Sequence, residues 1–118
     1  MPESPTTARI VLTTAGSPAE ASRLARTLVT ERLAACATLI PSVESYYEWQ
    51  GATEIATETL LLLKTDLANI AALEARLLAL HSYETPEFLI LPVEAGSEKY
   101  LAWMKASLAA RGPEERQA

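Results

Sequence analysis

The stretch Ala35–Lys64, ACATLIPSVESYYEWQGATEIATETLLLLK, decides the fold. Ala35–Ile40 reads as a strand, Pro41 interrupts it, and Val43–Trp49 continues as an extended, aromatic-rich segment. Gly51 marks a turn and Ile55–Lys64 returns as the next strand, so residues 35–64 form one long hairpin bent at Pro41. Successive side chains of a strand point to opposite faces. The unbroken run Leu60-Leu61-Leu62-Leu63 therefore asks for both faces to be dry.

On the amino-terminal side, Ala8–Thr14 carries Ile10, Val11 and Leu12, a strand signal. Ser17 suits a helix cap, Pro18 the first helical position, and Glu20 the third place of a capping box. Ala21, Leu24, Ala25, Leu28 and Val29 follow at helical spacing, and the helix runs to about Arg32. On the other side, Asp66 caps a second helix whose apolar stripe is Leu67, Ile70, Leu73, Leu77 and Leu78, with His81 one turn beyond Leu77. Tyr83–Pro86 is a loop, and Phe88–Val93 a fourth strand with a second unbroken apolar run, Phe88-Leu89-Ile90-Leu91. Gly96 and Ser97 open a last helix with Tyr100, Leu101, Met104 and Leu108 inward. The order is β-α-β-β-α-β plus a carboxy-terminal helix, an α+β ferredoxin-like domain over residues 8–110. Residues 1–7 read as a flexible arm and residues 111–118 as a flexible tail.

Two helices cover one face of a four-stranded sheet. Leaving the other bare exposes more apolar surface than a monomer usually carries. Burying about 1,000 Å² of it is of order 25 kcal/mol gross, before the costs of association. A homo-oligomer with sheets facing inward is expected; the alternative is that the last helix covers the second face.

The 118 residues are 49% apolar and 21% charged, which suits one globular domain. A net charge of −5 argues against a nucleic-acid surface. No apolar run approaches membrane-spanning length, and Met1–Thr7 has no leader pattern, so no membrane partner and a cytoplasmic address are expected.

One cysteine, Cys36, excludes an internal disulfide and a cysteine-rich zinc module. In its strand it is a small buried apolar residue, a soft metal ligand suited to copper, or a redox-sensitive thiol. His81, the single histidine, either bonds a carbonyl at its helix end or ligates a metal. Together they do not complete a tetrahedral site. One chain would add carboxylates from Glu54, Glu58, Glu84 or Glu87; otherwise neighbouring subunits supply the remainder. A catalytic Cys–His pair lacks an orienting group and an oxyanion hole, so no enzyme is expected. The loop Thr13–Ser17 offers no basic phosphate cradle, which speaks against an acylphosphatase. Tyr46, Tyr47 and Trp49 read as packing or subunit contacts.

Several motifs occur together: V-L-T-T-A at Val11–Ala15, E-R-L-A-A-C at Glu31–Cys36, Y-x-W-x-G at Tyr47–Gly51, L-L-L-K-T at Leu61–Thr65, H-x-Y-x-x-P-E at His81–Glu87, and L-P-V-x-x-G with Y-L-x-W across Leu91–Trp103. In this order and spacing the chain resembles the CutA divalent-cation-tolerance family. The resemblance implies a tight homotrimer that binds Cu(II) or another divalent cation weakly, through Cys36 and His81 as metal ligands. It places cleft residues at Tyr47, Trp49, Glu54, Glu58, Lys64, Tyr83 and Glu87. The alternative is a trimeric module like the PII signalling proteins, binding a small metabolite or a protein partner between subunits. Three positions depart from the family's pattern: Gly16 and Ser82 stand where proline is usual, and Ala52 where lysine is common.

Overall fold

The computed structural model describes residues 6–109. Of the flexible arm expected at residues 1–7, residues 1–5 fall outside them, as do the flexible tail expected at residues 111–118 and the domain end at residue 110, while the Thr7 carbonyl accepts the Leu67 N–H at 2.8 Å. The order is β1 (Ala8–Ala15), α1 (Pro18–Thr30), β2 (Cys36–Trp49), β3 (Ala52–Asp66), α2 (Ile70–Leu80), β4 (Leu89–Pro92) and α3 (Glu98–Leu108), with β2 and β3 joined directly as a hairpin. The strands form one antiparallel sheet in the order β2-β3-β1-β4, the ferredoxin-like arrangement.

Side-chain parity divides the sheet. Val11, Ala15, Leu61 and Leu63 face α1 and α2 and make the core with Leu24, Leu28, Leu73 and Leu77. Each of the largest of these is fully buried, so truncating any one removes tightly packed volume. Ile10, Leu12, Leu60 and Leu62 point the other way and stay half-buried, while Ile40, Leu89 and Leu91 on the same side are 44–55% exposed. Helix α3 covers only one end of that side. Its Met104 packs with Ala8 and Ala35, and its Tyr100 hydroxyl lies 3.3 Å from the Lys64 ammonium. A single chain thus leaves the apolar second face open, as the two leucine-rich runs anticipated.

The interruption and bend expected at Pro41 take the form of a bulge between Ile40 and Val43, with Ser42 at φ 60°: β2 runs through it, and the bulge absorbs the missing donor. Three local expectations need correction. Asp66 caps a three-residue 3₁₀ turn, Leu67–Asn69, and α2 starts only at Ile70. Leu67 and Leu78 point outward, because α2 presents only Leu73 and Leu77 fully to the core. Tyr100 is also exposed, its ring beside Trp103 and Lys64 rather than in the interior.

Beyond the bulge, residues 43–58 of the hairpin outrun β1, whose last pair is Ala15 with Thr59. This two-stranded ribbon carries exposed Tyr46, Tyr47, Trp49 and Ile55. Two strands alone hold poorly in water, so the ribbon also asks for a partner surface. Gln50 (φ 51°) and Gly51 (φ 83°) make its tip, a pair of left-handed residues that matches strand twist.

The Thr13 and Thr59 hydroxyls lie in the helix-facing interior with no hydrogen-bond partner. A buried hydroxyl left unpaired costs stability, whereas valine keeps the shape and suits a strand. Thr59→Val is expected to stabilise the protein by about 1 kcal/mol in urea unfolding. A loss of similar size would mean that the hydroxyl has a partner.

Candidate functional site

The polar groups of interest gather at two ends of the sheet. At the root of the ribbon, Tyr83 Oη donates to Glu58 Oε2 at 2.7 Å, and Glu58 is 9% exposed despite its charge. Strand register puts Tyr47 opposite Glu54 and Val43 opposite Glu58, so Tyr47, Trp49, Glu54 and Glu58 share one face of the ribbon. Glu87 is half-buried a few residues past Tyr83. Lys64 is elsewhere: six residues along β3 from Glu58, about 20 Å, opposite Cys36 and beside Tyr100.

His81 closes α2 and is buried at the first of these ends. Its Nδ1 accepts the Tyr83 N–H at 3.0 Å, which leaves Nε2 as the protonated nitrogen, donating to the Thr14 carbonyl at 2.7 Å. Of the two readings of this residue, the geometry matches the helix-end histidine bonded to a carbonyl. Both ring nitrogens are engaged, and a metal would have to displace one of these bonds.

Cys36 is a free, half-buried thiol whose sulfur has Thr38 Oγ1 at 3.9 Å. It pairs in register with Lys64, and the β1 residue across from Lys64 is Ile10, whereas His81 meets β1 at Thr14. The two residues are thus separated by four residues along the strands, about 13 Å, and by two strands across. One chain brings together neither a Cys–His metal pair nor a Cys–His nucleophile. Among the described residues no three His, Cys, Asp or Glu side chains converge to hold a metal ion.

Glu20 was legible only as a helix-start residue. Its backbone N–H does bond Ser17 Oγ at 3.1 Å, but its carboxylate turns to the loop after α2, accepting the Ser82 N–H at 2.8 Å and the Ser82 hydroxyl at 2.9 Å. His81 Nδ1 is 3.7 Å from the same carboxylate. Burial raises the Glu20 pKa, but the backbone and side-chain bonds from Ser82 outweigh it and hold the carboxyl below the usual range. A lowered folded pKa gives stability that is present above the unfolded value, near 4.5, and lost as pH falls through the folded one. No sequence pattern links residue 20 to residue 82.

A family model described as CutA1 divalent ion tolerance protein matches residues 9–107. The chain belongs to that family. A divalent-cation tolerance protein CutA of Pectobacterium atrosepticum is 46% identical over 99 residues, covering 84% of this chain and 90% of the relative. One of Escherichia coli O45:K1 is 47% identical over 103 residues, covering 87% and 92%. Among solved structures, CutA of Xylella fastidiosa superposes with a TM-score of 0.86 at 36% identity, covering 88% of this chain and all of that one. A periplasmic divalent cation tolerance protein CutA of Archaeoglobus fulgidus gives 0.84 at 33%, covering 86% and 99%. Family membership and the ferredoxin-like fold therefore stand on both sequence and structure. No described helix is long and apolar enough to cross a membrane.

Within this family member the Tyr83 phenol is held well above its ordinary value of 10.0, first by burial, then by its bond to Glu58 and that group's charge, with Glu20 and Tyr47 adding. The unfolded chain therefore ionises first, so this stability is whole below pH 10 and is lost as pH rises from there toward the folded pKa. Wild type is expected to lose unfolding free energy above about pH 10 more steeply than Tyr83→Phe. Equal slopes in urea titrations across that range would show that Tyr83 is not shielded.

Proposed function

We propose that this chain is a divalent-cation tolerance protein working as a homotrimer, which binds copper or similar ions weakly at clefts where subunits meet. One observation carries the reading: no three ligand side chains converge within the described chain, yet Cys36, Glu54 and the ribbon aromatics border surfaces that a lone chain leaves uncovered. A complete donor set then needs residues from neighbouring copies, with Cys36 as the soft donor, the Glu54–Glu58 face as the hard one, and Lys64, Tyr47, Trp49, Tyr83 and Glu87 shaping the cleft. His81 takes part through its hold on Tyr83, and as a ligand only by releasing a ring bond. The role is binding rather than catalysis.

Calorimetric titration with Cu(II) on wild type, Cys36→Ala and a monomeric variant tests this. Cys36→Ala is expected to weaken binding at least about tenfold, and the monomer to lose it. Equal affinity in all three would remove the intersubunit site. Cell fractionation would distinguish the cytoplasmic address expected from the sequence from a periplasmic one like that of the Archaeoglobus fulgidus relative.

A further inference from the structure

Behind the ribbon lies a carboxylate that cation binding does not use. Glu20 is 7% exposed in the first turn of α1, yet both Ser82 donors reach it across 62 positions of sequence. A buried carboxylate stays charged only among such donors. In return the Ser82 backbone is held in place on an otherwise exposed loop. That hold aims the next residue. The Tyr83 N–H sits on His81 Nδ1, its ring lies 4.7 Å from the His81 ring, and its hydroxyl reaches Glu58. The fit over the β1–α1 turn is close: a Cβ at Gly16 would come within 3.2 Å of Tyr83 Oη.

We infer that Glu20 is a positioning residue, whose carboxylate clamps Ser82 and thereby sets the Tyr83 hydroxyl on Glu58 at the root of the ribbon. Its relevance to cations rests on the function proposed above; the clamp itself does not.

The test uses the full chain and reads the Tyr83 amide and ring signals by NMR, with copper titration alongside. In Glu20→Ala the Tyr83 amide is expected to exchange at least about tenfold faster, and its ring signal to approach that of exposed tyrosines. Glu20→Gln keeps one acceptor oxygen and should fall between. Ser82→Pro removes both donors but suits the extended backbone of His81 (φ −74°, ψ 142°), so it should reproduce Glu20→Ala at Tyr83. Adding Glu20→Ala to Ser82→Pro should then change Tyr83 no further. Glu31→Ala, at the far end of the same helix, should leave Tyr83 unmoved. If Glu20→Ala does not fold, Glu20→Gln and Ser82→Pro carry the same comparison. Unchanged Tyr83 signals in these variants, or an equal change in Glu31→Ala, would overturn the clamp. A released Tyr83 with unchanged copper affinity supports the clamp and overturns the cation reading of the Glu58 face.

Discussion

Leu62→Glu is expected to reduce the light-scattering mass from a multiple of the chain to a single 12.8 kDa chain. Leu62 lies in the middle of the open face, in register with Leu12, which in turn pairs with Leu89. A carboxylate placed there must be dried without a partner when copies meet, and the cost of several kcal/mol recurs in every subunit. The single chain keeps its own core, because Leu62 points away from α1 and α2, so far-UV dichroism should stay native-like at low temperature. One residue along, Leu61 is fully buried against the helices, and Leu61→Glu should abolish folding altogether. Arg26→Glu, a charge reversal on the exposed side of α1, should keep the wild-type mass. A folded Leu62→Glu protein of wild-type mass would sink the inward-facing sheet, and so would a wild type that is monomeric at micromolar concentration.

His81→Ala is expected to be the most destabilising change among the candidate site residues, at about 3 kcal/mol. The substitution empties a buried ring volume and strands two backbone groups, the Thr14 carbonyl and the Tyr83 N–H. An unpaired buried group costs its full desolvation, which is why the loss exceeds that of an ordinary hydrogen bond. For a domain of this size the melting temperature should fall by on the order of 10 °C, compared at fixed protein concentration because assembly contributes. Cys36→Ala, by contrast, removes one half-buried sulfur and should cost under about 1 kcal/mol. A His81→Ala protein melting within a degree or two of wild type would show that the ring is not the pin described here.

Local chemistry was enough for much of this protein. The Ser17-Pro18 start of α1, the Gly51 turn, the alternation of the strands and the two unbroken apolar runs each act within a few residues, so element order, sheet type and an apolar face that the helices do not cover could be read directly. What short-range patterns could not carry is the choice among distant partners. Apolar spacing marked Leu67, Leu78 and Tyr100 as inward, but the layers take up Ile70, Leu73, Leu77, Leu101, Met104 and Leu108 and leave those three exposed. A proline in a strand signals an interruption; whether a bulge rescues it depends on the neighbouring strand. His81 meets Thr14 across 67 positions and Glu20 meets Ser82 across 62, pairings made only when β1, α1 and the loop after α2 close on one another. Propensity is a property of neighbours in the chain, whereas the pairing of buried polar groups depends on neighbours in space, and here the tertiary structure alone supplied them.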